Sequence, residues 1–352
     1  MPEPSPPALY GWWRSANAKV SATAPGCTSS YLVISAGLER STPSRLDQPK
    51  VFPYRGKPEL VGTEKQSLGW FGVQKILLSF ASGKYLMGQE YLIESGRPYF
   101  TAHASYRPEF LNPGFRRQHQ EILSQKKGAG YWLWKPEIIR ETLERVEEGD
   151  FVFYVDSGNL IVGDPRPLFD LCARDARGVL LFDNRDGSQD GTPWRNQGWT
   201  KADCYLRMGC EDEKFRQGLK VNGSYILVRK CPSACAFVEE YLRWCQTDDL
   251  ITDAPSRLAP ELPDFRMHRH DQSILSLLAI RDGIPIARDP SEWGNRYADR
   301  VNPGYGQVFR HHRSLLHAHK DNLLLKYGAH LPPEPTPWQT WCRATRELFR
   351  KS

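Results

Sequence analysis

Phe151-Val152-Phe153-Tyr154-Val155-Asp156-Ser157-Gly158-Asn159 is the stretch on which the fold turns. Its first five residues are apolar and show none of the alternation of a strand with one wet face. A strand buried on both faces needs that pattern, and the central strands of parallel sheets are buried that way. The run stops at Asp156, and Ser157-Gly158-Asn159 brings turn-forming residues. A carboxylate therefore stands where a central strand would end.

Upstream, Lys75-Ile76-Leu77-Leu78-Ser79-Phe80, closed by Ser82-Gly83, predicts a first buried strand. A second short strand is expected over 99–102, and 108–125 carries helical spacing. Pro136 is placed as a first-turn proline, and Ile139, Leu143 and Val146 recur at helical intervals up to Gly149-Asp150. Downstream, strands are expected over 179–182, ending in Asp183-Asn184, over 224–228 and over 284–287. Helices are expected over 234–244 and 272–280. Strands alternating with helices imply an α/β fold with a mostly parallel central sheet flanked by helices. The expected organisation is one large domain over 71–330. An irregular extension over 1–70, with a Trp12-Trp13 pair and a short strand at Tyr31–Ile34, precedes it, and a tail or helix over 331–352 follows.

The bulk composition is that of a globular protein: 352 residues, 40% apolar and 25% charged. The net charge of +6 is spread along the chain with no run of five or six like charges. That speaks against a nucleic-acid-binding tail, while a mild positive field suits an anionic small substrate. No basic segment followed by an apolar one opens the chain, and no stretch approaches 18 apolar residues. The eight cysteines are accordingly read as reduced thiols of a cytoplasmic protein with no transmembrane segment. Cys231 and Cys235 lack a second pair at zinc spacing and read as ordinary thiols.

Ligands of open α/β sheets bind in the crevice beyond the carboxyl ends of the strands. Asp156 is placed at such an end. A carboxylate there can hold Mg²⁺ or Mn²⁺ together with substrate phosphates, and Gly158 lets backbone approach a ligand. The same residues also make ordinary turns, and local sequence leaves both readings open.

Three ordered segments resemble the GT-A glycosyltransferases, in particular bacterial and viral members. They are Gly130-Tyr-Trp-Leu-Trp-Lys-Pro-Glu-Ile-Ile139, Asp150-Phe-Val-Phe-Tyr-Val-Asp-Ser-Gly158 and His268-Arg-His-Asp-Gln-Ser-Ile-Leu-Ser-Leu-Leu278. The likeness covers roughly 75–315. It implies a GT-A-like, Rossmann-like domain, a nucleotide-sugar donor, and a glycan or other hydroxyl acceptor. It implies too a role in glycan or polysaccharide biosynthesis. Asp156 matches the first Asp of the family's DXD motif and Gly158 stands in place of the second. Dependence on Mn²⁺ or Mg²⁺ is therefore implied on one carboxylate fewer than usual.

The resemblance also implies that Asp271 and Gln272 face the transferred sugar or acceptor, while the bland reading makes Asp271 a helix cap. His268 becomes a candidate metal ligand or phosphate contact, and Arg269 a candidate substrate contact. Lys135 and Trp134 become candidates for phosphate and ring contacts, against an aromatic core edge capped by a solvated lysine. Ser157 and Gly158 belong with the donor. Lys201 and Asp203, beyond the loop that starts at Trp194, become acceptor-side candidates, and Asp203 or Asp271 a candidate base. Asn222-Gly223 resembles a segment that approaches the donor sugar, or makes a tight turn. His312 and His317 are candidates for a C-terminal metal-ligating histidine.

Two alternatives stand beside this reading: a catalytically degenerate nucleotide- or glycan-binding protein, and a metal-dependent phosphoesterase. The latter calls for several carboxylates at strand ends. A dinucleotide-dependent dehydrogenase is disfavoured, because no G-x-G-x-x-G follows the first strand.

Overall fold

The computed structural model describes residues 61–62, 72–185, 193–247, 249–295 and 304–311. Strand β1 (Val61–Gly62) precedes β2 (Lys75–Phe80), α1 (Leu86–Gly96) and β3 (Ala102–Tyr106). Then come α2 (Trp134–Leu143), β4 (Phe151–Val155), β5 (Asn159–Ile161), α3 (Arg166–Arg174) and β6 (Val179–Asp183). Further along are β7 (Val221–Arg229), α4 (Pro232–Cys245), α5 (Asp271–Arg281), β8 (Ile286–Ala287) and β9 (Phe309–His311), with short helical turns before β7 and after β8.

Seven strands form one sheet in the order β1-β3-β2-β4-β7-β6-β8. Five of them run one way. The pairs β2–β3, β2–β4 and β6–β8 are parallel, while β7 is antiparallel to both β4 and β6, and β1 to β3. The mostly parallel sheet read from the sequence is thus the one observed, with β7 reversed inside it. That reversal matters for function. It puts the start of β7 at the edge where β2, β4 and β6 end.

The unbroken apolar runs have their physical reason in two cores. Ile76, Leu78, Val152 and Tyr154 point to one face, where α2, α4 and α5 cover them. Leu77, Phe151, Phe153 and Val155 point to the other, under Leu92 of α1 and Phe169 of α3. Every residue of β4 is buried, so period-2 patterning would have left charge inside.

Two expectations move. The strand expected over 99–102 lies at Ala102–Tyr106, because Tyr99 and Phe100 close the turn after α1 by donating their N–H groups to the Gly96 carbonyl. The helical spacing over 108–125 is broken at Asn112, whose side chain accepts N–H bonds from Gly114 and Phe115 and starts a new helix at Pro113. Among the described residues, no helix is long and apolar enough to cross a membrane. Cys172, Cys204, Cys210, Cys231, Cys235 and Cys245 are free thiols. The Trp12-Trp13 pair, Tyr31–Ile34 and the 331–352 tail lie outside the described residues.

Candidate functional site

At the carboxyl edge of the sheet, the ends of β2 and β4 open onto a cavity of about 360 Å³. Phe80, Ser82, Trp132, Trp134, Asp156 and Gly158 are on its wall. Asp156 is fixed from three sides. Its Oδ1 accepts the Tyr154 hydroxyl at 2.5 Å, its Oδ2 accepts the Ser224 hydroxyl at 2.9 Å, and its N–H donates to the Ser224 carbonyl. The two hydroxyls fix the orientation of the carboxylate at the cavity wall. Ser224 reaches it because β7 runs backwards.

The opposite wall is the turn Gly128–Trp132. Ala129, Tyr131 and Trp132 all hold positive φ, at 50°, 51° and 61°. His270, at φ 53°, lays its ring against Trp132 and Tyr131, with centroids 5.3 and 5.1 Å away. Left-handed backbone at non-glycine residues costs of order 1–3 kcal/mol each and gathers where a ligand is gripped. Trp134 stacks flat on Phe80 at 3.8 Å and donates its indole N–H to the Gly128 carbonyl, which fixes the turn against the sheet.

Lys135 does not offer its charge to a ligand as expected. It is 1% exposed, and its Nζ donates to Asp271 Oδ2 at 2.6 Å and to the Gly223 carbonyl at 2.9 Å. Asp271, also 1% exposed, further accepts the Tyr241 hydroxyl at 3.2 Å. Its carboxylate is neither a helix cap nor on the cavity wall; it neutralises Lys135 in the interior. The ammonium lies 5.2 Å from the centre of the Tyr154 ring, so this pair underlies the residue that orients Asp156. Gly223 must be glycine here. A Cβ would stand 2.6 Å from Gln272 Cγ and 3.2 Å from both Lys135 Nζ and Asp271 Oδ2.

The remaining candidates lie away from this cavity. Lys201 is buried and donates to the carbonyls of Asp249, Thr252 and Ala254, which ties that loop shut, and burial pulls its pKa down. Asp203 accepts the N–H groups of Arg257 and Leu258. His268 accepts the Lys201 N–H on Nδ1 and donates from Nε2 to the Leu250 carbonyl. Burial, with His270 and Lys201 nearby, holds it neutral, well below the usual histidine range. Gln272 accepts from Lys220 at 2.6 Å. Arg269 lies over the stacked rings of Trp194 and Trp199. Asn222 bridges, accepting the Ser224 N–H and donating to Asp289. None of these residues is on the cavity wall. His312 and His317 lie outside the described residues.

Two contributors to the cavity wall have no signal in the sequence pattern. Lys126, an exposed lysine just before the Gly128–Trp132 turn, lines the cavity. Tyr154 was counted as apolar, yet its hydroxyl orients Asp156. Asp183 and Asp289 also sit at strand ends, joined by the Asp289 N–H donating to Asp183 Oδ1. Burial pushes Asp289 up to about 6. Asp183 is tied by Arg185 at 2.7 Å, so these carboxylates form a closed network.

No protein-family model and no curated protein matches the sequence. Among solved structures, the chain is similar to the galactosyltransferase LgtC in complex with donor and acceptor sugar analogues. The identity is 11% and the TM-score 0.41, over 75% of this chain and 99% of that one. It is similar to the bifunctional glycosyltransferase WbbM at 13% identity and TM-score 0.40, over 77% of this chain and 51% of that one. It is similar as well to mouse xyloside xylosyltransferase 1 at 9% identity and TM-score 0.37, over 68% of this chain and 97% of that one. These are similarities of chain course.

Proposed function

We propose that this chain is a glycosyltransferase that moves a sugar from a nucleotide-sugar donor to an acceptor hydroxyl. The observation that carries the reading is the position of Asp156. It ends the central strand of the sheet, its oxygens are held by two hydroxyls, and it stands on a cavity at the edge where α/β sheets bind ligands. Two of the three motifs that resemble the GT-A enzymes meet on this cavity and the third packs behind them, which supports the reading. The first supplies Trp132 and Trp134, the second Asp156 to Gly158, and the third Asp271, which pairs with Lys135 of the first.

In this reading the indole of Trp132 offers an apolar face to a base or sugar ring. Lys126 meets the diphosphate as a point charge. Asp156 accepts donor hydroxyls or holds a divalent cation. Among the described residues Asp156 is the carboxylate on this cavity, which suits an Mg²⁺ or Mn²⁺ whose other ligands are phosphate oxygens and water. Such a cation supplies charge neutralisation for the departing diphosphate. Asp203 and Asp271, engaged elsewhere, are not assigned the role of base.

Release of nucleotide from a panel of UDP-, GDP- and CMP-sugars, with and without Mn²⁺, tests the reading. Turnover of one donor is expected, and Asp156→Asn should abolish it while leaving the unfolding transition in place. Donor binding without turnover would instead identify a binding protein, and full turnover by the variant would remove Asp156 from the site.

A further inference from the structure

A second cavity, of about 570 Å³, opens beside the loop that follows β6. Trp194 and Trp199 form its floor. Their rings are stacked 4.0 Å apart at 11°, and both are half-buried. The Arg269 guanidinium lies 5.3 and 5.2 Å from the two ring centres, and that of Arg266 lies 5.8 Å from Trp199. Arg195 and Arg266 stand exposed on the wall with one carboxylate, Asp264, whose Oδ2 already accepts from Gln197. The floor is rigid. The Trp199 carbonyl accepts from the Arg269 N–H and the Ser273 hydroxyl, and the Gly198 carbonyl accepts the Arg266 N–H at 2.9 Å. Arg195 is braced by donating to the Gln217 carbonyl.

We infer that this cavity is a binding site for an anion-bearing glycan. A flat, rigid indole pair offers the apolar face against which a sugar ring lies, at little entropic cost. Guanidinium groups select carboxylate, sulfate or phosphate substituents by paired hydrogen bonds. Two arginines on the wall against one engaged carboxylate leave the cavity positive, with Arg269 adding charge beside the rings. Its volume admits a short saccharide, and the absence of any basic run elsewhere in the sequence argues against a nucleic-acid strand.

Calorimetric titration of the full chain with a carboxylated trisaccharide, a sulfated one and a neutral one of the same linkage tests the inference. The charged sugars should bind about tenfold more tightly than the neutral one, and added salt should narrow the gap. Arg195→Gln/Arg266→Gln replaces exposed residues and should erase the preference with an unchanged melting temperature. Equal binding of all three sugars, a preference that survives in the variant, or tighter binding of a single-stranded oligonucleotide would each overturn it. The two readings fail separately. Glycan binding without turnover of any nucleotide sugar removes the transferase, and turnover without charge preference removes the glycan site.

Discussion

Two lysines nine residues apart in sequence end in opposite environments. Lys135, in the motif, is buried in a pair with Asp271, while Lys126, outside it, faces the cavity. The reason is desolvation: an ammonium that is 1% exposed survives because Asp271 and the Gly223 carbonyl surround it. Asp271 is 136 positions away, and no local pattern announces a partner at that distance. What local pattern does show is Asp156, because the end of an apolar run is visible in one dimension. Lys135→Met, leaving Asp271 buried and unpaired, should cost about 3–5 kcal/mol in urea unfolding, and Lys135→Met/Asp271→Leu should recover most of it. A single variant as stable as the parent would show that the pair is not buried as described. Lys126→Ala should leave stability intact and raise KM for the donor by about tenfold, the worth of one charge-assisted contact. An unaltered KM would place the diphosphate elsewhere.

At the scale of elements, the runs at 75–80 and 151–155 are strands to the residue, because burial on both faces writes a continuous apolar signature. Strand direction writes nothing. The sequence 221–229 reads the same parallel or antiparallel, and its reversal comes from the neighbours it meets. That reversal brings Ser224 to Asp156 and Gly223 over Lys135, contacts invisible in the chain. Gly223 illustrates the gap: Asn222-Gly223 reads as a turn, but the glycine is inside β7 and is needed for space. Gly223→Ala should therefore lower the melting temperature by several degrees, consistent with about 1–3 kcal/mol of overpacking. Lys201 acts on a neighbouring element. Lys201→Met removes the donor shared by the carbonyls of Asp249, Thr252 and Ala254. Amide exchange should then quicken over 249–254 before it does in β4, and uniform exchange across both would contradict a local latch.

Across the whole molecule, the buried ionisable groups fix how stability follows pH, and they pull in opposite directions. His268 and His270 are both held below their ordinary pKa of 6.5, chiefly by burial. The unfolded chain therefore binds protons that the folded one refuses, so their contribution is complete above about pH 6.5 and is lost as pH falls below it. Asp289 has the reverse sign. Burial raises its pKa from 3.8 to about 6, so the folded chain keeps a proton that the unfolded one releases, and stability drawn from it fades as pH rises through that range. His103 and His119, also held low by burial, act with the other two histidines. Between pH 6.5 and 6 the histidines meet little opposition, and below 6 four lowered imidazoles outweigh the raised carboxyls of Asp289 and Glu137. Urea unfolding should accordingly show stability falling from pH 7 to pH 5, with a slope approaching about 1.4 kcal/mol per pH unit for each excess proton. Replacing Asp289 with Asn removes one opposing group and should steepen the fall below pH 6 while leaving the segment above it unchanged in slope. A stability curve that is flat over this range, or a variant whose fall becomes shallower, would mean that the carboxyl edge of the sheet is wetter than its hydrogen-bond network implies.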